Sequence, residues 1–338
     1  MTRYIVIGAG AVGGTLGGKL TQHGIDAVLI ARGEHGQALV ESGLRLRTPD
    51  ENLTLPVAAA TGPTGVRLRR DDVIVIATKT HQAADALTQW ADQPVYDGET
   101  VAGTAGELLP VLTMLNGVAS ELLALRYFRL VYGVCIWLPA VHLEPGEVIA
   151  RSAPVPGLFH IGRYPASASA DTALLEQIKA DWTKAGFAIQ LPADVMEWKY
   201  NKLLSNIVNA IQALVGKNGD FASIVKQARA EASGVLDAAG IAYASREMEA
   251  ELRAIGPKVR PVPGEPDELG GSSWQSLARG TGNIETDYLN GEIALIARQH
   301  GLAAPINTKI ASLARIAAAT GQRPGDISAD ELATILGI

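Results

Sequence analysis

A lysine and two asparagines recur along one face of a predicted helix, and such side chains can act on a carbonyl group. Residues 197–214 read EWKYNKLLSNIVNAIQAL, a long and largely apolar helical pattern. At about 100° per residue, Lys202, Asn206 and Asn209 fall within roughly 60° of one another. A lysine ammonium beside a ketone polarises its oxygen and can protonate the alkoxide that forms. The alternative is a polar stripe that is solvated or bonded to backbone.

A second polar cluster contains serines and a glutamate. Ser272 and Ser273 precede a short apolar pattern, and Glu285 follows in the segment NIETDYLNG. A carboxylate near a lysine keeps the lysine charged and can hold a hydroxyl group, and a serine hydroxyl suits a carboxylate ligand. The alternative for Glu285 is an acidic first turn of a helix running to about His300, favoured by the helix dipole.

The spacing of these two residues predicts a break in the helix between them. Ser273 and Glu285 are twelve residues apart, which in one unbroken helix is about 18 Å. Both residues can contact one small substrate only if the chain bends or unwinds. The run Gly280–Asn283 contains poor helix formers. We expect a break there, with Asn283 or Thr281 capping the next helix and Glu285 in its first turn.

Near the N-terminus, a glycine-rich turn follows a predicted strand and opens a predicted helix. The strand is Arg3–Ile7, the turn reads GAGAVG, and the helix runs to about Gln22. In this context the pattern is typical of a dinucleotide site, because glycines allow a tight turn and let a pyrophosphate approach the helix N-terminus. The alternative is a glycine turn without ligand. The expected cofactor-binding residues are Gly8, Ala9, Gly10, Ala11, Val12 and Gly13.

The end of the second predicted strand favours NADPH as the cofactor. This strand is Ala27–Ile30, and no acidic residue stands at its end to bind a ribose 2′-hydroxyl. Arg32 stands there instead and can pair with a 2′-phosphate. The alternative is a solvated loop arginine, and the nearby Glu34 leaves NAD open.

Two further loops follow predicted strands. Lys79 comes after the buried strand pattern at residues 72–77, and Asn116 comes after Leu112–Leu115. Ligands of open α/β sheets lie beyond the carboxyl ends of the strands. We therefore expect Lys79 and Asn116 to contact cofactor or substrate. Asn116-Gly117 can also be read as a turn dipeptide.

The elements that carry these residues predict an α/β fold with two domains. A Rossmann-type doubly wound parallel sheet is expected in residues 1–167, with a further strand at Val131–Trp137 and antiparallel hairpin strands between about Val141 and His160. The small and polar segment near residues 164–170 suggests the boundary. Residues 168–338 are expected to form an all-helical domain for substrate and catalysis, with a loop near residues 256–271.

Composition narrows the function classes. The 338 residues carry a net charge of −6 with no basic run, so nucleic acid is not an expected partner. Cys135 is the only cysteine and lies in an apolar run, which predicts a buried strand residue and a cytoplasmic protein. No run is long enough to cross a bilayer, the N-terminus does not resemble a signal peptide, and no metal site is predicted. Buried apolar helices could form a homodimer interface.

The motifs together resemble the ketopantoate reductase (2-dehydropantoate 2-reductase) family over nearly the whole chain. Individually most are common, but their order and spacing are specific. The matching segments are GAGAVG from Gly8, TKTHQ from Thr78, LNG from Leu115, NKLLSNIVNA from Asn201, SSWQSL from Ser272, IETDYLNG from Ile284 and HGLAAPINT from His300.

This resemblance implies reduction of a 2-oxo acid with NADPH, with roles for particular residues. The family's catalytic lysine matches Lys202, its substrate-site glutamate Glu285, its substrate serine Ser273 and its loop asparagine Asn116. The first helix asparagine of the family matches Asn206. The second falls by count on Ala210, with Asn209 adjacent, and a third corresponds to Asn218 with a spacing that differs by two. These departures put the substrate in question more than the chemistry.

Three functions remain open from the sequence. The first is reduction of ketopantoate to pantoate, a step toward coenzyme A. The second is a paralogue acting on another 2-oxo acid or its 2-hydroxy product. The third is an NADP-binding regulator without turnover, against which the joint presence of Lys202 and Glu285 argues.

Overall fold

The structure is a computed structural model that describes residues 2–169, 171–266, 270–280 and 282–338. Its strands, in chain order, are β1 (Arg3–Ile7), β2 (Ala27–Ile30), β3 (Leu44–Arg47), β4 (Asn52–Leu55), β5 (Ala58–Ala60), β6 (Leu68–Arg69), β7 (Asp72–Ile76), β8 (Pro94–Asp97), β9 (Thr100–Thr104), β10 (Pro110–Thr113), β11 (Leu130–Trp137), β12 (Ala140–Val141), β13 (Glu147–Ala150), β14 (Leu158–Tyr164) and β15 (Ala188–Gln190).

The helices alternate with strands in the first half of the chain and follow one another in the second half. They are α1 (Ala11–Gln22), α2 (Gly33–Ser42), α3 (Ala83–Ala91), α4 (Ala105–Leu108), α5 (Ser120–Ala124), α6 (Thr172–Lys184), α7 (Val195–Asn206), α8 (Val208–Val215), α9 (Ala222–Ala238), α10 (Arg246–Ile255), α11 (Ser272–Ala278), α12 (Asn290–Gln299), α13 (Pro305–Thr320) and α14 (Ala329–Leu336). Short 3-10 turns lie at Pro63–Gly65, Thr80–Gln82 and Glu285–Tyr288.

The main sheet has eight strands in the order β15-β14-β11-β10-β7-β1-β2-β5. Its central strands pair in parallel, while β14 pairs with β11 in the antiparallel sense. The strands β1 and β7 are almost continuously buried, because a parallel sheet is covered by helices on both faces. The predicted α/β class, with a Rossmann-type sheet followed by a helical region, is confirmed.

The opening βαβ unit forms where the sequence predicts it. β1, α1 and β2 have the predicted bounds, and β1 pairs in parallel with β2. The strand predicted at Leu112–Leu115 lies earlier, at Pro110–Thr113. Met114 and Leu115 continue its apolar run and are buried, so composition does not mark where the sheet ladder ends. Cys135 is buried within β11, as predicted.

The strands between residues 140 and 164 divide between two sheets. β12 and β13 form the expected antiparallel hairpin, but they belong to a separate four-stranded sheet with the order β12-β13-β3-β4. β14 returns to the main sheet, and a third, three-stranded sheet has the order β6-β8-β9. The hairpin therefore packs apart from the main sheet, on α1.

The helix α6 and strand β15, which the sequence assigns to the second domain, pack with the first. Trp182 of α6 is fully buried between Tyr4 and Phe159, with ring centroids 6.1 and 5.1 Å away. The Tyr4 hydroxyl donates to Asp181 over 2.7 Å, and β15 pairs in parallel with β14. Such an aromatic cluster can hold distant segments together, because burial of each large ring contributes about 2 kcal/mol or more.

The chain divides into two compact units. The first comprises Met1–Leu115, Ser120–Met196 and Arg246–Asp267, and the second comprises Asn116–Ala119, Glu197–Ser245 and Glu268–Ile338. The division after Met196 lies later than the predicted boundary at residue 167. The reason is that β15 is a strand of the main sheet and α6 packs against that sheet. The described elements of the second unit are helical. None of the helices in the described residues has the length and apolar character needed to cross a membrane.

The long helix predicted at residues 197–214 is divided into α7 and α8 at Ile207. The Ile207 carbonyl accepts a hydrogen bond of 3.2 Å from the side chain of Asn290, which is fully buried. The helix predicted from Glu285 to His300 is also divided, because Leu289 leaves helical geometry between the 3-10 turn and α12. The first interruption thus leaves a backbone carbonyl to a side-chain donor, while the Leu289 carbonyl accepts from the backbone N–H groups of Glu292 and Ile293.

Candidate active site

The glycine-rich turn of the first unit connects β1 to α1. Gly8 has φ +99°, and a Cβ there would lie 2.8 Å from the Ala77 carbonyl carbon. A Cβ on Gly13 would lie 2.2 Å from the Gly8 oxygen. A Cβ on Gly10 would meet nothing within 4 Å. Packing therefore requires glycine at positions 8 and 13, while the open space at Gly10 suits the close approach of a ligand.

The N-terminus of α1 is equipped for an anion. Gly10 is the N-cap residue, and no side chain bonds the first turn from that position. Ala11 and Val12 begin the helix and are partly exposed. The first amides of a helix are uncompensated donors at the positive end of its dipole, which is the arrangement that binds pyrophosphate groups. The residues present at this turn thus fit a dinucleotide.

Arg32 follows the end of β2 and is the N-cap residue of α2. It is exposed, and within the described residues its side chain makes no hydrogen bond or ion pair. Glu34 is also exposed, in the first turn of α2. An arginine held in no structural contact can pair with a phosphate at little structural cost. The placement fits a 2′-phosphate, whereas Glu34 would suit a ribose hydroxyl.

Lys79 follows the carboxyl end of β7 and precedes the 3-10 turn at Thr80–Gln82. It is partly buried, and its backbone carbonyl accepts a hydrogen bond of 2.8 Å from Gln82. The turn fixes the backbone of Lys79 at the edge of the sheet where ligands of this fold class lie.

In the second unit, two predicted site residues from distant parts of the chain are in contact. The Lys202 ammonium donates a hydrogen bond of 3.1 Å to the amide oxygen of Asn116, across 86 residues of sequence. Lys202 lies on α7 and Asn116 in the loop after β10, and both side chains are partly exposed. The amide oxygen holds the Lys202 ammonium in place.

The same loop lies against the turn that carries Glu285. Gly117 has φ +76°, and a Cβ there would lie 2.5 Å from the backbone oxygen of Tyr288. Tyr288 ends the 3-10 turn that Glu285 begins, and Glu285 is only 6% exposed. The Asn116-Gly117 dipeptide is therefore more than a turn. Its asparagine contacts Lys202, and its glycine allows close contact with the Glu285 turn.

The predicted break between Ser273 and Glu285 is confirmed. The helix α11 ends at Ala278, and the 3-10 turn begins at Glu285. The expected capping by Asn283 is wrong, because Ile284 occupies the N-cap position with extended geometry and no side-chain cap. Thr281, the other capping candidate, lies outside the described residues. The two glycines in the break have positive φ, which helical geometry excludes.

Ser273 is a buried hydroxyl of α11 with an unsatisfied hydrogen-bonding group. It is 2% exposed, and in the described part of the chain its Oγ has no hydrogen-bond partner. The helix is positioned by Gly271, whose N–H donates to the side chain of Gln212 over 2.7 Å. A Cβ on Gly271 would lie 3.3 Å from the amide oxygen of Asn209. Asn209 therefore packs beside the start of α11.

The remaining asparagines differ in placement. Asn206 ends α7 one turn after Lys202, and within the described residues its side chain has no hydrogen-bond partner. Asn218 is exposed in the turn after α8. The thirteen residues from Lys202 to the end of α8 correspond to a rise of about 20 Å if the two helices are collinear. Asn206 therefore lies one turn from Lys202 on the same helix, whereas Asn218 lies beyond the end of α8.

A buried amide network in the second unit was missed by sequence reasoning. Asn290 donates to the side-chain oxygen of Asn307 over 2.9 Å, and Asn307 donates to Glu231 over the same distance. Glu231 also accepts from the backbone N–H groups of Ile306 and Asn307 at the start of α13. An amide buried among apolar neighbours is the signal that could have identified Asn290, because such a group needs partners.

Taken together, the second unit presents an ammonium fixed by an amide, a buried carboxylate and a buried hydroxyl. An ammonium can donate to a carbonyl oxygen, and a hydroxyl can bind a carboxylate. The first unit presents a glycine turn and an exposed arginine suited to a phosphate-bearing dinucleotide. These are the components of carbonyl reduction with a nicotinamide cofactor.

Comparison with known proteins agrees with these components. The family model described as ketopantoate reductase PanE/ApbA matches residues 4–166, and that for ketopantoate reductase PanE/ApbA C terminal matches residues 194–318. The chain is 28% identical over 313 residues to the 2-dehydropantoate 2-reductase of Pyrococcus horikoshii, covering 90% of this chain and 94% of that protein.

Solved structures share the fold at lower identity. A ternary structure of D-mandelate dehydrogenase with NADH and anilino(oxo)acetate has a TM-score of 0.75 at 18% identity, covering 96% of this chain and 100% of that chain. Dimeric ketopantoate reductase from Staphylococcus aureus has a TM-score of 0.66 at 20% identity, covering 95% and 100%. The two family models together span both units, and the chain belongs to the ketopantoate reductase PanE/ApbA family.

Proposed function

We propose that this protein reduces 2-dehydropantoate (ketopantoate) to pantoate with NADPH, in the biosynthesis of pantothenate and coenzyme A. The observation that carries the proposal is the hydrogen bond from Lys202 to Asn116, with the Asn116 loop packed against the turn of Glu285. This arrangement brings the proposed proton donor and the loop asparagine together. It also packs the loop on the turn that carries Glu285, the carboxylate proposed to bind the substrate.

Lys202 is the proposed general acid. Its ammonium, oriented by the Asn116 amide oxygen, donates to the ketone oxygen and stabilises the negative charge that develops there. Transfer of its proton then gives the 2-hydroxy product. Bound NADPH supplies the hydride. Lys202 is afterwards reprotonated from solvent, which its partial exposure allows.

Glu285, Ser273, Asn206 and Asn209 are the proposed substrate-binding partners. The buried Glu285 carboxylate accepts a hydrogen bond from a substrate hydroxyl. The unpartnered Ser273 hydroxyl donates to a substrate carboxylate. Asn206 offers a free amide for a polar tail. Asn218, exposed beyond α8, has the weakest structural support as a substrate contact.

The cofactor is proposed to bind through the backbone of Gly8–Gly13, with Arg32 on the 2′-phosphate and Lys79 and Asn116 as further contacts. The open space at Gly10 and the uncapped start of α1 support the pyrophosphate position. The exposure of Arg32 without a structural partner supports NADPH over NADH.

The deciding experiment is a substrate and cofactor matrix. Purified protein is assayed with NADPH and with NADH against ketopantoate and a panel of other 2-oxo acids, and kcat/KM is compared. The proposal expects the highest value for NADPH with ketopantoate. A higher value for another 2-oxo acid would support the paralogue instead, a function with which the fold shared with D-mandelate dehydrogenase is compatible. Binding of NADPH without turnover of any oxo acid would support the regulator.

The assembly and location are proposals of the same kind. We propose a homodimer, supported by the exposed apolar side chains Leu295, Ile316 and Ile335 on helices of the second unit and by the neighbour described as dimeric. Sedimentation velocity at micromolar concentration tests it. A cytoplasmic location is consistent with the single buried cysteine.

A further inference from the structure

The imidazole of His35, on α2, lies between two segments of backbone in the first unit. Its Nε2 is 2.7 Å from the carbonyl oxygen of Ala9 in the glycine-rich turn. Its Nδ1 accepts a hydrogen bond of 2.9 Å from the N–H of Gly146. Because a carbonyl only accepts and an amide N–H only donates, these contacts require a neutral ring with its proton on Nε2. We call this arrangement the His35 bridge.

The far side of the His35 bridge is a well-packed hairpin. Gly146 lies between β12 and β13 with φ +77°, and a Cβ there would lie 3.1 Å from the Cβ of Ala38 on α2. Val148 of β13 packs on α1, since its Cγ1 lies 2.7 Å from where a Cβ on Gly14 would be. The ring of His142 lies 4.1 Å from that of His35. The hairpin is therefore a fixed anchor rather than a loose loop.

The near side is the peptide that joins Ala9 to Gly10. The N–H groups of Gly8 and Ala9 both donate to the Ile30 oxygen, over 2.9 and 3.1 Å. The Ala9 carbonyl is the acceptor for His35, and a Cβ on Gly14 would lie 2.7 Å from that oxygen. The Ala9–Gly10 bond is trans, so its C=O and N–H point in opposite directions. Holding the oxygen on His35 therefore directs the Gly10 N–H away from α2, at the residue with open space around it.

We propose that His35 is a positioning residue for the cofactor: by holding the Ala9 carbonyl against the hairpin, it presents the Gly10 amide to the pyrophosphate of the dinucleotide. The inference rests on the proposed function, in that a nicotinamide dinucleotide occupies the Gly8–Gly13 turn. His35 itself contacts neither the cofactor nor the substrate.

The protonation state of His35 follows from its surroundings. Burial lowers the pKa of His35, the hydrogen bond to Ala9 opposes that change, and His142 lowers the pKa further. The neutral bridge is complete above this pKa. As the pH falls through it, Nδ1 gains a proton and can no longer accept from Gly146.

Other charged groups on the packed elements are engaged elsewhere or are exposed. On the hairpin, the Glu147 carboxylate pairs with Arg45 and Arg47 over 3.0 and 3.2 Å, and the His142 Nδ1 lies 2.9 Å from the Glu147 carbonyl oxygen. On α1, Lys19 bonds Gln22 over 2.6 Å. The remaining acids of the hairpin and α2 are exposed, namely Glu34, Glu41 and Glu144.

The test compares three single variants with the wild type. His35→Phe keeps an aromatic ring and removes both hydrogen bonds. His35→Gln keeps one donor and one acceptor on its amide. His23→Phe is the matched control, because the His23 ring also contacts a backbone carbonyl, that of Lys19 at the other end of α1. NADPH dissociation constants, both KM values, kcat and the melting temperature are measured for each.

We expect His35→Phe to raise the NADPH dissociation constant and KM about tenfold, the scale of one charge-assisted hydrogen bond. Turnover at saturating NADPH and the KM for the oxo acid should stay within about twofold. His35→Gln should recover most of the NADPH affinity, and His23→Phe should bind as the wild type. Unchanged NADPH affinity in a folded His35→Phe variant would overturn the proposal. An equal rise in the KM for NADPH and the KM for the oxo acid would also overturn it. A wild type that binds no dinucleotide would refute the proposed function instead.

A pH series provides a readout that a purely structural histidine would not move. The NADPH dissociation constant of the wild type should rise more steeply with falling pH than that of His35→Gln, whose amide does not titrate. Comparison between the two proteins removes the titration of the 2′-phosphate, which both share. Parallel curves would contradict a neutral His35 bridge.

Discussion

The two candidate sites of this protein are built in opposite ways. In the first unit, the proposed cofactor turn is made of six consecutive residues, Gly8–Gly13, and their backbone is the proposed binding surface. In the second unit, the Lys202 and Asn116 side chains meet across 86 residues, and the Asn116 loop packs on the turn that carries Glu285. A site made of consecutive backbone depends on local geometry. A site made of distant side chains depends on how loops and helices pack.

The difference also separates the two kinds of glycine in the molecule. Gly13 is required by the turn itself, since a Cβ there would lie 2.2 Å from the Gly8 oxygen, while Gly8 is required by its positive φ and by the nearby backbone of Ala77. Gly117 is required because a distant backbone, at Tyr288, lies against it. Substitutions can therefore be chosen that damage one site and leave the other intact, and the following four predictions use that independence.

The largest effect is expected at Lys202. Lys202→Ala removes the proposed proton donor and should lower kcat by about 10² or more, the usual scale of general acid catalysis. NADPH affinity should barely change, because Lys202 is not among the residues proposed to bind the cofactor. Stopped-flow turnover and fluorescence titration measure the two quantities.

Lys199, one turn earlier on α7 and buried, is the competing candidate. Near-wild-type turnover in Lys202→Ala, with a large loss in Lys199→Ala, would transfer the assignment to Lys199.

At the cofactor site, Arg32→Ala should weaken NADPH binding by about ten- to a hundredfold and spare NADH, because only the 2′-phosphate loses a charge-assisted partner. Titration with both cofactors gives the ratio. Arg70→Ala, a surface arginine of the same unit that pairs with Asp97, serves as the control and should bind as the wild type. An equal loss of affinity for NADPH and NADH would show that Arg32 does not bind the 2′-phosphate.

Gly10→Ala tests the open space in the turn. The added Cβ meets no protein atom within 4 Å, so the melting temperature should hold within a few degrees. It would stand in the path of the pyrophosphate, and both NADPH and NADH should bind about tenfold more weakly, the equivalent of one lost hydrogen bond to a charged group. Gly62→Ala, at an extended glycine with equal room, is the control. Unchanged affinity for both cofactors would place the pyrophosphate elsewhere.

The smallest effect is expected at Ser273. Ser273→Ala removes a buried hydroxyl that has no partner among the described residues, so stability should hold or rise slightly. The KM for the oxo acid should rise about two- to tenfold, the value of one hydrogen bond. Ser276→Ala, one turn later on α11, is the control. A loss of stability without a change in KM would make Ser273 a structural residue.

Much of the first unit could be predicted from sequence because its signals are local. The bounds of β1, α1 and β2 follow from an apolar run, a glycine turn and the next apolar run. The break between Ser273 and Glu285 could be predicted for the same reason, since glycines resist helix formation wherever they lie. Its cap could not, because Ile284 takes the N-cap position through backbone geometry alone.

The domain boundary shows where local signals end. The polar segment before α6 resembles a linker, yet the hydrogen bond of Tyr4 to Asp181 and the buried Trp182 hold α6 on the sheet. The hydrogen bond joins residues 177 positions apart, and no local pattern encodes it.

By itself, the sequence determined the α/β class, the glycine-rich turn between β1 and α1, the identity of the candidate side chains and the family of the chain. Each of these depends on residue types within a few positions of one another, and backbone preferences act over that range. Only the tertiary structure decided that Asn116 contacts Lys202, that Gly117 packs on the Glu285 turn, and that His35 holds the Ala9 carbonyl. These contacts form between segments that meet only when the core is packed, and the packing of many side chains at once sets their distances.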